Sequence, residues 1–242
     1  MQLRDGLRNV LRETRVFVFP CECAGCGVAD VALCASCAEE LRAQPQIVPT
    51  QHVAAPGFGP VMSGGDYGET FARVLHAIKD GGRAELARAF APRLVDSLRA
   101  FEIRHDVELV TGRAAGASTI TSPRLVAPPS SRANRQSRGF EPLELVARHA
   151  RVTLWQPLVS VRRRADQAQL GLVARADNML QSMSVRSRVA GVSVVLVDDL
   201  MTTGATLTEM ARALNDAGAH VRGAVVLAHA LRRWPTSHPR EL

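Results

Sequence analysis

Residues 194–207 run VVLVDDLMTTGATL, and the order of residue types in this stretch decides the fold. Val192 to Val197 is an apolar, mostly β-branched run broken only by Ser193, the pattern of a parallel strand covered on both faces. Two acids follow, then a small, hydroxylated loop, then a helical stretch from Thr206 to Ala217 that stops at Gly218. Val221 to Leu227 is a second buried strand. Strand, helix and strand in this order predict an open parallel α/β sheet with helices on both faces. In such sheets ligands bind beyond the carboxyl ends of the strands, which is where Asp198 and Asp199 stand. Thr202, Thr203, Gly204, Ala205 and Thr206 would set backbone N–H groups and hydroxyls around an anion at a helix N-terminus. Carboxylates repel phosphate, so the acids suit sugar hydroxyls or Mg²⁺. A ribose 5-phosphate satisfies both halves of the stretch.

Other readings of the stretch explain less. A P-loop needs a glycine-rich loop with lysine, and the one lysine, Lys79, sits in AIKDGG. A dinucleotide fold needs G-x-G-x-x-G after a strand, and no strand here is followed by one. A helix cap uses one Asp or Thr and leaves the second acid, the further threonines and the glycine without a task.

The 242 residues are 46% apolar and carry a net charge of +7, which fits a globular chain rather than a disordered one. No apolar run is long enough to span a membrane. Leu3, Leu7, Val10 and Leu11 have helical spacing interrupted by arginines, so the N-terminus predicts an amphipathic helix in a cytoplasmic protein and no secretory signal. Charge is uneven. From Arg124 to Arg188 twelve arginines face Glu141, Glu144, Asp166 and Asp177, a net +8, and the rest of the chain comes to −1. Such a segment points to an anionic partner.

All five cysteines lie in CECAGCGVADVALCASC, residues 21–37. Cys23 and Cys26 form one C-x2-C pair, and Cys34 and Cys37 another. Two such pairs can surround a tetrahedral Zn²⁺, with Cys21 as the spare thiol. Disulfides fit a cytoplasmic chain poorly, a redox C-x-x-C usually comes singly, and iron–sulfur clusters use other spacings. A structural zinc with four protein ligands has no open position, so no chemistry is assigned to it.

Elsewhere, residues 43–65 are rich in Pro and Gly and predict a linker or a loose strand pair. Phe71, Val74, Leu75 and Ile78 mark a helix ended by Gly81 and Gly82. Leu86, Phe90, Leu94, Leu98 and Phe101 mark a second helical stretch with a break at Pro92. Residues 102–122 predict a loop with a short strand. Leu125 to Ala127 and Val152 to Val159 predict short strands, and Leu143 to Ala150 a helix. The expected division is a zinc module over residues 1–60 and a ligand-binding domain over residues 61–242.

Together these motifs resemble the ComF family of competence-associated proteins, within the type I phosphoribosyltransferases. The resemblance rests on VVLVDDLMTTGATL, the double C-x2-C, AIKDGGR, VAPPSSRANRQSRGFE and RADQAQLGLVARADNM, in the family's order. It implies a phosphoribosyltransferase-type fold that binds phosphoribosyl pyrophosphate (PRPP) with Mg²⁺. Asp198 and Asp199 would contact the ribose hydroxyls, and Thr202 to Thr206 the 5′-phosphate. Ser130, Ser131 and Arg132 would receive the diphosphate, and Arg135 to Phe140 would form a covering arm; Lys79 would reach the same phosphates or stand as a solvated lysine at a helix end. The family often has RGFN where this chain has RGFE, with Glu141 in place of the amide. Two functions remain open. One is transfer of phosphoribosyl to a nitrogen base. The other is a non-catalytic accessory role in DNA uptake or processing, with single-stranded DNA or DNA-uptake proteins as partners. Aromatic residues are only 4% of the chain, so stacking platforms for bases are few.

Overall fold

The computed structural model describes residues 21–49, 58–107, 109, 122–130, 136, 138–161 and 181–230. The expected N-terminal helix, Ser131, Arg132 and residues 162–180 lie outside the described residues. In chain order the elements begin with α1 (Ala35–Glu40), β1 (Gln46–Val48), β2 (Val61–Ser63) and α2 (Glu69–Lys79). A 3-10 segment (Ala84–Phe90), α3 (Ala91–His105), β3 (Arg124–Val126), α4 (Pro142–His149), β4 (Leu158–Ser160) and β5 (Met183–Val185) follow. The last three are β6 (Ser193–Met201), α5 (Ala205–Asp216) and β7 (His220–His229).

The main sheet has the order β1-β2-β7-β6-β3. β2, β7, β6 and β3 are mutually parallel, with Ser63 opposite Val226, Val197 opposite Val225, and Val126 opposite Leu196. β1 closes one edge antiparallel to β2. Strand alternation divides the core. Val195, Val197, Val225 and Leu227 pack with Val74 and Ile78 of α2, Phe90, Leu94 and Phe101, and Val146 of α4. Val194, Leu196, Ala224 and Val226 pack on the other face with Leu207, Met210 and Leu214 of α5. The antiparallel β4–β5 pair joins that second layer through Leu158 and Met183. A central strand buried on both faces reads as an unbroken apolar run because each parity has its own helix layer.

The structure redraws several expected boundaries. β6 continues through Asp198 and Asp199 to Met201, because β7 supplies partners that far: Asp198 opposite Val226, Leu200 opposite Ala228, Met201 opposite His229. The acids therefore sit in the last turns of the pleat and not in the loop. The Pro- and Gly-rich stretch supplies β1 and β2, which join the main sheet. Pro92 lies in the first turn of α3, where its missing N–H costs nothing, so the break falls between the 3-10 segment and α3. Helix α3 runs to His105, into the stretch expected to be irregular. β5 had no sequence signal; Met183–Val185 is a short strand defined by its partner β4.

One buried charge ties the layers together. Arg93 of α3 is 4% exposed and lies 4.9 Å over the Phe71 ring. Its Nε donates to the Leu227 carbonyl at 2.7 Å, and its Nη atoms donate to the carbonyls of Leu41 and Asp66 at 3.3 and 3.4 Å. Burial lowers its pKa to about 10, against the opposing pull of Asp66. One guanidinium thus links α3 to β7 and to the end of the cysteine-bearing segment.

Candidate functional site

A cleft of about 180 Å³ opens at the carboxyl ends of β3 and β6, and its wall includes Lys79, Ser130, Arg138, Glu141, Asp198 and Asp199. These residues come from separate parts of the chain. Ala127 to Ser130 continue from β3, Asp198 and Asp199 lie near the end of β6, Lys79 ends α2, and Arg138 and Glu141 precede α4. They meet because α2 and α4 pack on the same sheet face, through Val74, Ile78 and Val146.

The two acids differ. Asp199 shares the strand parity of Val195 and Val197, the side on which α2 packs, and its Oδ2 lies 2.6 Å from Lys79 Nζ. Asp198 is 8% exposed, and its Oδ1 accepts the Asp199 N–H at 2.8 Å. Burial, then the neighbouring Asp199 charge, pushes its pKa up to about 7, although the Asp199 N–H and Lys79 pull the other way. One acid is therefore ion-paired, and the other is held near neutrality. At the cleft rim, Arg138 Nη2 lies 3.3 Å from Asp80 Oδ1, and Asp80 also meets His76 Nδ1 at 2.7 Å.

Beyond Met201, residues 202–204 make the turn into α5. Gly204 takes the left-handed conformation at φ 74° and caps the helix without a side-chain acceptor. Thr203 Oγ1 accepts the Ala205 N–H at 3.4 Å. Thr202 and Thr203 are exposed, and Ala205 and Thr206 are half-buried. A glycine cap offers the first turn no side-chain acceptor of its own, the usual arrangement where a helix start meets an anion.

Of the predicted site residues, the structure gathers Lys79, Ser130, Asp198 and Asp199 in one cleft, with Thr202 to Thr206 on the turn that follows in the chain. Ser131 and Arg132 lie outside the described residues. Lys79 is not a solvated helix end; its ammonium is bound to an acid of the motif. Gln156 and Glu144 also line the cleft and hydrogen-bond each other. Their sequence carries no signal, because Gln156 is delivered by Trp155, which bridges to Val126 beside β3.

The cysteines form a second centre. The Sγ atoms of Cys23, Cys26, Cys34 and Cys37 all lie within 4.8 Å of one another, and Cys26 and Cys34 are 3.7 Å apart. Zn–S bonds of about 2.3 Å in a tetrahedron set sulfurs about 3.8 Å apart, so the donor set fits zinc. The Cys34 N–H points to Cys23 Sγ at 3.3 Å, and the Cys37 N–H to Cys34 Sγ at 3.5 Å. Burial raises the Cys37 thiol, and its neighbouring thiols raise it further, which a bound cation would reverse. A Cβ at Gly25 would stand 2.5 Å from Cys37 Sγ, so the knuckle requires glycine there. Cys21 is outside the cluster.

Comparison with known proteins agrees with this geometry. Residues 136–239 match the family described as the phosphoribosyl transferase domain. The match takes in α4, both acids and the turn into α5. The chain is 26% identical over 206 residues to DNA utilization protein YhgH of Salmonella typhimurium, covering 77% of this chain and 86% of that one. The YhgH protein of Salmonella typhi matches at the same identity and coverage. Among solved structures, a Trypanosoma cruzi hypoxanthine phosphoribosyl transferase is similar at 13% identity and a TM-score of 0.35, over 64% of this chain and 72% of that one. That likeness is too low to carry an inference about substrate. Residues 136–239 thus carry a phosphoribosyl transferase domain, in a mixed α/β protein that also holds a four-cysteine cluster. In these residues and in its similarity to YhgH the chain resembles the ComF-type phosphoribosyltransferase-like proteins. Among the described residues, no helix is long and apolar enough to cross a membrane.

Proposed function

We propose that the protein binds PRPP or a related ribose 5-phosphate ligand, together with Mg²⁺, in the cleft at the ends of β3 and β6. In this reading Asp198 and Asp199 hold the ribose hydroxyls, and the N–H groups and hydroxyls of Thr202 to Thr206 hold the 5′-phosphate. Ser130, Ser131, Arg132 and Lys79 receive the diphosphate. The observation that carries it is the convergence on one cleft of Lys79, Ser130, Asp198 and Asp199 from three parts of the chain. Binding then trades partners at Lys79: Asp199 turns to the sugar, and the ammonium turns to the phosphates.

If a nitrogen base enters the cleft, its lone pair forms the bond to ribose C1 while the C1–O bond to diphosphate breaks. The diphosphate leaves with the bonding electrons. Mg²⁺ supplies charge neutralisation on that leaving group. The protein's share is orientation and fixed donors. The four cysteines hold a structural zinc, and residues 1–60 serve as the module that carries it.

Purified protein with PRPP, Mg²⁺ and a panel of nitrogen bases, monitored for pyrophosphate release, tests the transferase form of this reading. Release that disappears in Asp198→Asn/Asp199→Asn supports it. Binding without release from any base removes the transfer step. The name of the YhgH relatives favours a second reading, a non-catalytic role in DNA utilization, and the +8 segment supplies the charge for it. DNA affinity measured against salt separates the two, because direct phosphate contact gives a steep negative slope and a flat one removes direct contact with DNA.

A further inference from the structure

The cysteine centre and the cleft meet the same corner of the chain. Helix α2 ends at Lys79, whose ammonium touches Asp199. Six residues before Lys79, Arg73 Nη1 donates to the Gly25 carbonyl at 3.0 Å. Four residues after it, Arg83 Nη1 donates to the Glu22 carbonyl at 2.9 Å, and its Nη2 to the Ala32 carbonyl at 3.2 Å. All three acceptors belong to the backbone that wraps the cysteines. Gly25 lies between Cys23 and Cys26, and Glu22 and Ala32 lie just outside the two pairs. The Arg83 N–H also closes the corner onto Ala77 of α2 at 3.0 Å. Thr70 at the start of α2 adds a hydrogen bond to Glu40 of α1.

Carbonyls can hold a guanidinium only if their own backbone is fixed. In a knuckle of this kind the metal does much of that fixing, since the apo form of a small four-cysteine unit has little core of its own. Arg83 is placed to pass that order on. Its side chain is 27% exposed and its charge is satisfied on one side by Glu85 at 3.2 Å, so its fork is preset toward the knuckle.

We propose that Arg83, assisted by Arg73, is a positioning residue that couples the metal-bound cysteine module to Lys79, so that occupancy of the four cysteines sets how Lys79 is presented to the cleft. Loss of the metal, by chelation, then loosens the α2 corner and weakens ligand binding at a distance. The binding arm of this proposal rests on the reading of the cleft as a PRPP site; the structural arm does not.

The test uses full-length, zinc-loaded protein in four forms: wild type, Arg83→Ala, Lys79→Ala and the double variant. Hydrogen exchange over residues 76–86 and titration with Mg²⁺ and PRPP are both read. Arg83→Ala is expected to keep its zinc, to exchange faster over that segment, and to bind PRPP about fivefold or more weakly. In the Lys79→Ala background the same substitution is expected to change affinity by about twofold or less. Equal losses in the two backgrounds would overturn the proposal, as would unchanged exchange or zinc lost from Arg83→Ala. Chelation of wild type is expected to raise exchange over the same residues, and no rise would cut the link to the metal. If no form binds PRPP, wild type included, the reading of the cleft fails while the exchange results still decide the coupling.

Discussion

Lys79 Nζ and Asp199 Oδ2 lie 2.6 Å apart, and they join the end of the first long helix to the acidic end of the central strand. The lysine is 30% exposed and the acid 18%, so the pair is partly desolvated and worth more than a surface ion pair. It also bears on the neighbouring acid, because the Lys79 charge is one of the influences that hold the Asp198 pKa down. Removing the lysine leaves two carboxylates side by side with less compensation. In Lys79→Ala the Asp198 pKa is expected to rise above its wild-type value, read by ¹³C carboxylate titration. An unchanged titration would contradict the pairing.

Asp198 gives the fold an unusual pH dependence. Its folded pKa of about 7 lies above its ordinary value of 3.8, so the folded state holds the proton more tightly than the unfolded state. Stability from this group is full below about pH 4, falls as pH rises from there to about 7, and stays at its lower level above that. Asp198→Asn is therefore expected to raise the Tm by several degrees at pH 8 and to leave it nearly unchanged at pH 4, a difference of the order of a few kcal/mol in stability. Thermal unfolding at the two pH values checks the sign.

Glu209 predicts the opposite behaviour at a different place. It is buried in α5 and accepts the Met183 N–H at 2.9 Å, while Arg212 donates to both its oxygens at 2.8 Å. Burial raises its pKa, but the Arg212 hydrogen bond and the N–H groups of Met183 and Gln181 outweigh it, and the net shift is downward. Its contribution is present above the unfolded pKa of about 4.5 and is lost as pH falls below that. Glu209→Ala leaves the buried Met183 N–H unpaired and Arg212 with only Asp216 and the Met183 carbonyl, and a loss of about 1–3 kcal/mol is expected. Urea unfolding at pH 7 measures it, and a loss under about 1 kcal/mol would count against the clamp.

Metal content separates the cysteines. Cys34→Ser is expected to lose zinc and to unfold at lower temperature, because it removes one of the four clustered sulfurs. Cys21→Ser is expected to keep both, since its sulfur is outside the cluster. Elemental analysis alongside thermal unfolding decides between them.

The sequence was most legible where chemistry and periodicity coincide. Val194 to Val197 reads as a doubly covered strand because both parities face a helix layer, and the double C-x2-C reads as a metal knuckle because few other uses need that spacing. Less legible was everything that depends on a partner far along the chain. β6 extends through Asp198 to Met201 only because β7 pairs with it there. β5 exists through β4, and Gln156 lines the cleft because Trp155 bridges to Val126. Arg93 looks like one more exposed helical arginine until Leu227, Leu41 and Asp66 supply its acceptors. Lys79 could be read as a phosphate ligand or a solvated helix end, because nothing local marks an ion pair with a residue 120 positions away.

Calorimetric titration of Mg²⁺ and PRPP into zinc-loaded protein tests the central claim most directly, with Asp198→Asn/Asp199→Asn as the comparison. Saturable binding to wild type that weakens by about tenfold or more in the folded double variant is the predicted result, corresponding to about 1.4 kcal/mol. Absence of binding to wild type, or equal affinity in the two proteins, would contradict the account.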